Sequence, residues 1–159
     1  MTVNNDKNAI STNYKWLVYA SVAVGAFLTV SDQTGTNIAM PRIAEDLSAD
    51  IPTVQWVYLL YTLSISSLLL PMGRLSDLVG RKSIYCTGLA IFSVGALGAY
   101  LSGVLPILLG AKAVQGLGAA MIQANGMALM AESFPRNERG KALGLYMTII
   151  GIGATGGPV

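Results

Sequence analysis

Gly73-Arg74-Leu75-Ser76-Asp77-Leu78-Val79-Gly80-Arg81-Lys82 separates two long apolar runs, Val54–Met72 and Ser83–Ser102. These ten residues hold three cations, one acid and two glycines. If both flanking runs cross a bilayer, the stretch is a hairpin turn at headgroup level. Its cations then set orientation, because short basic loops stay on the cytoplasmic side. Gly73 and Gly80 are expected to permit a tight reversal through positive φ. Asp77, close to Arg74, Arg81 and Lys82, is expected to stay ionised in a network of charge-assisted hydrogen bonds.

Working outward, the apolar runs dominate the chain. Of 159 residues, 53% are hydrophobic and 11% charged, with a mean hydropathy of +0.56. A soluble domain carries about 25% charged residues, so the composition is that of an integral membrane protein. A spanning helix needs about 20 apolar residues. Five segments qualify: 16–40, 54–72, 83–102, 106–131 and 142–159. The fold class is therefore all-α and integral to a membrane, with residues 1–15 as a polar cytoplasmic tail and 16–159 as an incomplete helical bundle. The first span is expected to close at Pro41 and to be followed by an acidic outer loop, Arg42–Thr53. Trp56, Tyr58 and Tyr61 are expected to form an aromatic belt near the outer end of the second span. Met1–Asn13 lacks the features of a cleavable signal peptide.

Charge sets the topology. With the amino terminus inside, Lys7, Lys15, Arg74, Arg81, Lys82, Arg136, Arg139 and Lys141 lie on inner segments and only Arg42 on an outer one. This is the positive-inside pattern of a multi-pass protein of the cell (plasma) membrane. The chain has no histidine and one cysteine, Cys86. That excludes an internal disulfide and any multi-cysteine metal site. No cofactor is implied, and an enzyme is not expected, because no nucleophile has a nearby base. The modest net charge of +2 comes mostly from the loops and suggests no nucleic-acid partner.

Two ionisable residues fall inside spans, where each is costly and hence a functional candidate. Asp32 lies about 24 Å along the first span. Either the helix ends near Ser31 and Asp32 sits in the outer headgroups, or the helix continues and Asp32 lines a water-filled cavity. Lys112 lies in the fourth span. Either its stem snorkels to the interface, or it points into the protein. The second is favoured because Lys112, Gly116, Ala120, Ala124 and Ala128 recur every four residues as a small-residue packing face. Gln115 and Gln123 flank that face and complete the set of proton- or substrate-coupling candidates. Gly95, Ala99 and Gly103 form a similar stripe on the third span.

The pattern Gly73-x-Leu75-x-Asp77-x-x-Gly80-Arg81-Lys82 resembles the loop between spans two and three of major facilitator superfamily transporters. Four further stretches are similar to motifs of the same superfamily. Lys112-x-x-Gln115-Gly116-x-Gly118 resembles its fourth-span motif, with lysine where arginine is usual. Asp32-x-Thr34-x-x-Asn37-x-Ala39-Met40-Pro41 resembles the first-span motif of the drug:proton antiporter branch with fourteen spans. Phe134-Pro135 through Arg139-Gly140-Lys141-Ala142-Leu143-Gly144 resembles the loop before the fifth span. Gly153-x-x-x-Gly157-Pro158 resembles the start of the fifth-span antiporter motif.

The resemblance implies an amino-terminal piece of a proton-coupled exporter of amphipathic or cationic small molecules, with the remainder of the transporter, or another membrane chain, as its missing partner. It implies that Asp77 and its neighbouring cations latch the inner ends of two helix bundles. It implies that Gly153, Gly157 and Pro158 kink the fifth helix into a dry seal, and that Asp32 meets a proton or a cation. A metabolite or sugar carrier, and a non-transporting membrane scaffold or regulatory partner, are the alternatives.

Overall fold

A computed structural model of the protein describes residues 12–156. The expected tail therefore lies largely outside the described residues, as do Gly157 and Pro158. Five helices follow one another: α1 (Thr12–Asp46), α2 (Ile51–Val79), α3 (Arg81–Tyr100), α4 (Leu105–Ser133) and α5 (Arg139–Gly156). Four of them, α1 to α4, are long and apolar enough to cross a membrane. The expected fifth span corresponds to α5, whose 18 described residues begin with Arg139 and Lys141 in the first turn.

α1, α2 and α4 are longer than the apolar segments, α3 and α5 start earlier than theirs, and this corrects several expected loops. The stretch 73–82 is not an extended hairpin. α2 runs helically to Val79, α3 begins at Arg81, and the reversal is made at Gly80 alone, with φ 103° and ψ 128°. Gly73 is helical, and Gly80 is the one glycine with positive φ among the described residues. Pro41 does not close α1, which carries it internally and continues to Asp46. The acidic outer loop shrinks to residues 47–50, and the inner loop before α5 to residues 134–138. The physical reason is common to all. Leaving a helix strands backbone donors and acceptors, which is most costly near the hydrocarbon. A helix therefore continues into the headgroup layer, where polar side chains are solvated, and breaks where glycine makes a sharp reversal cheap.

Gly80→Ala is accordingly expected to destabilise the protein by about 1–3 kcal/mol through backbone strain. Gly73→Ala, where an added methyl meets nothing within 4 Å, is expected to be neutral or stabilising by about 0.5–1 kcal/mol. Unfolding by SDS titration in mixed micelles separates the two; equal losses would mean that the reversal is shared along the stretch.

α4 is the centre of the bundle. It packs most extensively against α3 and α2 and also meets α1, while α5 rests on α1. Small residues make this possible. A Cβ built on Gly116 would lie 2.7 Å from Ser64 Cβ and 2.8 Å from the Tyr61 carbonyl of α2. One built on Gly118 would lie 2.4 Å from the Phe92 nitrogen of α3. Ala119 and Ala120 are fully buried. On α3, Gly95 abuts the Gln115 backbone, whereas Gly103 has no neighbour within 4 Å, so the expected third-span stripe holds only in part. One apolar cluster joins Val22, Tyr61, Tyr85, Phe92, Ile122 and Met130. A second, towards the acidic end, joins Ala44, Val54, Val57 and Leu108.

Large apolar side chains on the outside remain uncovered, including Leu63, Leu70, Leu78, Leu97 and Ile107. In a folded chain such a surface marks contact with lipid or with other helices. The protein is a membrane protein.

One end of the bundle is tied by ion pairs. Lys15 Nζ donates to Glu138 Oε2 at 2.6 Å and lies over the Phe134 ring. Trp16, Tyr19 and Phe134 pack edge to face. Arg81 bridges Asp77 of α2 (3.0 Å) and Glu132 of α4 (2.9 Å). Lys15, Arg74, Arg81, Lys82, Arg136, Arg139 and Lys141 all belong to this end, and Arg42 to the other. Above it, α1, the α2–α3 corner and the end of α4 enclose an open cleft of about 1150 Å³.

Candidate functional site: an ion pair between the first and fourth helices

α1 is helical throughout residues 12–46, so Asp32 sits in the wall of the bundle and not at a helix end. Lys112 does not snorkel outward. Its side chain is 7% exposed, and that of Asp32 is 25% exposed. The ammonium donates to both carboxylate oxygens, at 3.0 and 2.9 Å, and to Thr36 Oγ1 at 2.9 Å. All three of its protons are thereby matched. Thr36 lies one turn beyond Asp32, so one helix face presents both acceptors.

α2 holds this arrangement from the side. The Tyr61 ring lies 5.6 Å from Lys112 Nζ, within cation–π range. Tyr61 is 2% exposed, which removes it from the expected aromatic belt; Trp56 is 53% exposed and remains at the surface. The Tyr61 hydroxyl points at the Thr29 carbonyl at a long 3.5 Å. Gln33 Nε2 donates to the Tyr58 hydroxyl at 3.3 Å. Asp32 is thus flanked on α1 by two attachments to α2. On the other side, Ser31 Oγ donates to the Gly153 carbonyl of α5 at 3.3 Å.

The fourth-helix motif now has a physical reading. Gly116 and Gly118 let α4 sit close to α2 and α3, and that approach brings Lys112 to α1. Gln115 is fully buried, and both ends of its amide lack a hydrogen-bond partner. An unpaired buried amide costs about 1–3 kcal/mol, so it calls for a further partner. Gln123 is not brought to the ion pair. It falls within about 20° of Lys112 around the helix, yet it is exposed, as is Met127 one turn on. The helix face covered at Lys112 is open eleven residues later.

The second group of candidates lies at the basic end. Of the three cations around Asp77, Arg81 is the one that bonds to it among the described residues. The break at Gly80 leaves Arg74 and Asp77 on α2 and puts Arg81 and Lys82 on α3, and Arg81 is the cation that the corner turns back onto Asp77. Asp77 is 62% exposed and Glu132 59%, so each pair is worth about 0–1 kcal/mol. The pairs set geometry more than stability. Sequence reasoning missed Glu132, Tyr61, Thr36 and the pairing of Asp32 with Lys112. The first three carry no local signal, and the pairing joins residues 80 apart in the chain.

Comparison with known proteins agrees with this architecture. Residues 22–159 match the Major Facilitator Superfamily. The chain is 35% identical over 145 residues to the riboflavin transporter RibZ of Clostridioides difficile, covering 91% of this chain and 32% of that protein. It is 36% identical over 147 residues to the puromycin resistance protein pur8 of Streptomyces alboniger, covering 90% and 29% respectively. It is 31% identical over 144 residues to the tetracenomycin C resistance and export protein of Streptomyces glaucescens, covering 91% and 27%. The chain spans about a third or less of the length of these relatives. It belongs to the Major Facilitator Superfamily.

Proposed function

We propose that the chain is the amino-terminal part of a proton-coupled exporter of amphipathic or cationic small molecules. The observation that carries this reading is the Lys112–Asp32 pair, a charged couple built into the bundle at evident cost. Asp32 is the partly open member, so a proton or a cationic solute competes with Lys112 for its carboxylate. Occupation of Asp32 from either source frees the ammonium and loosens α1 from α4. That exclusivity is what antiport requires: one carboxylate serves proton and substrate in turn. Gln123, on the open face of α4, is available to a solute entering beside it. The tetracenomycin C relative is named for resistance and export and the puromycin relative for resistance, which favours export over uptake.

In this reading the basic end is cytoplasmic, with the amino terminus inside, in keeping with the positive-inside rule. Lipid covers the exposed apolar surface, and later helices of the longer protein cover the cleft between α1 and the α2–α3 corner. The exposed Asp77 remains free to meet the second half while Arg81 ties it to Glu132. Metabolite carriage is the second reading, favoured by similarity to the riboflavin transporter.

The test is efflux by the full-length protein in inverted membrane vesicles, driven by an imposed proton gradient and followed with a fluorescent lipophilic cation. Asp32→Asn is expected to abolish gradient-driven movement, and Asp77→Asn to reduce it strongly while leaving the protein folded. Efflux unchanged in both variants would remove the assigned roles. Gradient-driven movement of riboflavin but of no lipophilic cation would favour the second reading.

A further inference from the structure

We propose that Lys112 has a second seat inside the bundle, made by the amide oxygen of Gln115 and the face of Tyr61, which receives the ammonium whenever Asp32 is neutralised. The inference rests on the reading of Asp32 and Lys112 as a coupling pair and deepens it. Three observations carry it. Gln115 is fully buried with neither amide end partnered, so an acceptor stands ready without a donor. It lies three residues after Lys112 on the same helix, where side chains are neighbours about 5–6 Å apart at Cβ. Side chains on a helix lean towards its amino end, which carries the Gln115 amide towards the turn holding Lys112. Tyr61 already lies beside the ammonium, at 5.6 Å from Nζ to the ring centroid, and the next residue after Gln115, Gly116, lies against the Tyr61 carbonyl.

Lysine suits this role better than the arginine usual at this place in the resembling motif. Its charge is compact and sits on a flexible four-carbon stem, so it can turn between two acceptors without a matching fork. Among the described residues, the charged and titratable groups at this place are Asp32 from α1 and Tyr61 from α2, with Tyr58 of α2 next to Tyr61, while α3 presents the Gly95 backbone beside Gln115. In the structure the ammonium belongs to Asp32 and Thr36, and Gln115 waits. When a proton or a cationic solute takes the carboxylate, the ammonium moves about one helical turn inward along α4. Two arrangements of one lysine then report the state of Asp32 to the α3–α4 contact.

Reductive methylation of the protein in detergent, read by mass spectrometry at the Lys112 peptide, tests this without any transport. Only a neutral amine reacts, so acceptors that hold the charged form slow the labelling. Because Thr36 also accepts from Lys112, the first seat is removed whole as Asp32→Leu/Thr36→Val. Lys112 is expected to react slowly in the wild type, in Gln115→Leu and in Asp32→Leu/Thr36→Val. It is expected to react about tenfold faster or more when Gln115→Leu is added to that double variant. Gln115→Met replaces Gln115→Leu if the latter fails to fold. Fast labelling in Asp32→Leu/Thr36→Val, or a triple variant no faster than it, overturns the proposal and leaves Gln115 as the holder of a buried water. The assay is independent of efflux: a protein that moves no solute can still show the second seat, and a working exporter can still lack it.

Discussion

Lys112→Met is expected to lower the stability of the bundle by about 3–5 kcal/mol, and adding Asp32→Leu is expected to restore most of the loss. The reasoning is a comparison of states. In the wild type, the ammonium is 7% exposed and meets a carboxylate at 2.9 Å. Removing the cation leaves a carboxylate inside the bundle with only neutral groups near it. An uncompensated charge of that kind is strongly destabilising, whereas replacing both charges with apolar groups of similar size is often neutral. Because Asp32 keeps a quarter of its side-chain surface open, water relieves part of the penalty, and the loss falls towards 3 kcal/mol. SDS titration of the purified protein in mixed micelles reads the three forms. A double variant as unstable as the single one would mean that Lys112 contributes by packing and not by charge. Separating the two matters for function. A pair retained for stability has no reason to be ionic, since an apolar pair would serve as well.

Which parts of this site were legible in the sequence follows from what periodicity encodes. Asp32 and Lys112 each stand out as a charge within an apolar run. The small residues at 116 and 120 announce that the Lys112 face packs. Nothing local says that the partner of Lys112 is residue 32, because the register between two helices depends on the loops and contacts of the whole bundle. Tyr61 was misplaced for the same reason. Aromatic residues near a span end serve equally as interface anchors or as core, and burial decides between them. Gln123 shows that angle alone does not bring residues together. Angular position around α4 groups it with Lys112, but angle carries no information about depth, and the neighbouring helices do not cover α4 evenly along its length.

The fold was legible at the level of which segments form helices, and less so at their ends. Hydropathy measures the part of a helix immersed in hydrocarbon. α1 continues from Pro41 to Asp46, and α2 from Gly73 to Val79, as polar or mixed turns that cost nothing at headgroup level. Charge by itself does not mark chain reversal: the charged residues here extend the helices beyond the hydrocarbon. Gly80 carried the true signal, and it was obscured by Gly73 in the same stretch. The ion pairs at that end follow from the corner: Arg81, the first residue of α3, reaches back across Gly80 to Asp77 of α2 and also meets Glu132 of α4.

Gly118→Val is expected to be the most damaging single substitution in the apolar part of the protein, costing about 3 kcal/mol or more through overpacking. The neighbours that a Cβ there would meet are all backbone: the Phe92 nitrogen at 2.4 Å, the Gly88 carbonyl at 2.7 Å and the Phe92 Cα at 2.8 Å. A clashing side chain can change rotamer, but a helix backbone must move as a unit. α3 and α4 would separate, and α4 carries Lys112 and Gln115 with it. The same substitution should therefore weaken the pair with Asp32, although Gly118 touches neither partner. Gly110→Ala, on the same helix with nothing within 4 Å of the added methyl, serves as the control and should be neutral or stabilising by about 0.5–1 kcal/mol. The pair of variants distinguishes close approach from a general dislike of larger residues on α4. An unshifted SDS midpoint for Gly118→Val would show that α3 and α4 do not meet backbone to backbone. Lys112 would then need some other means of reaching α1.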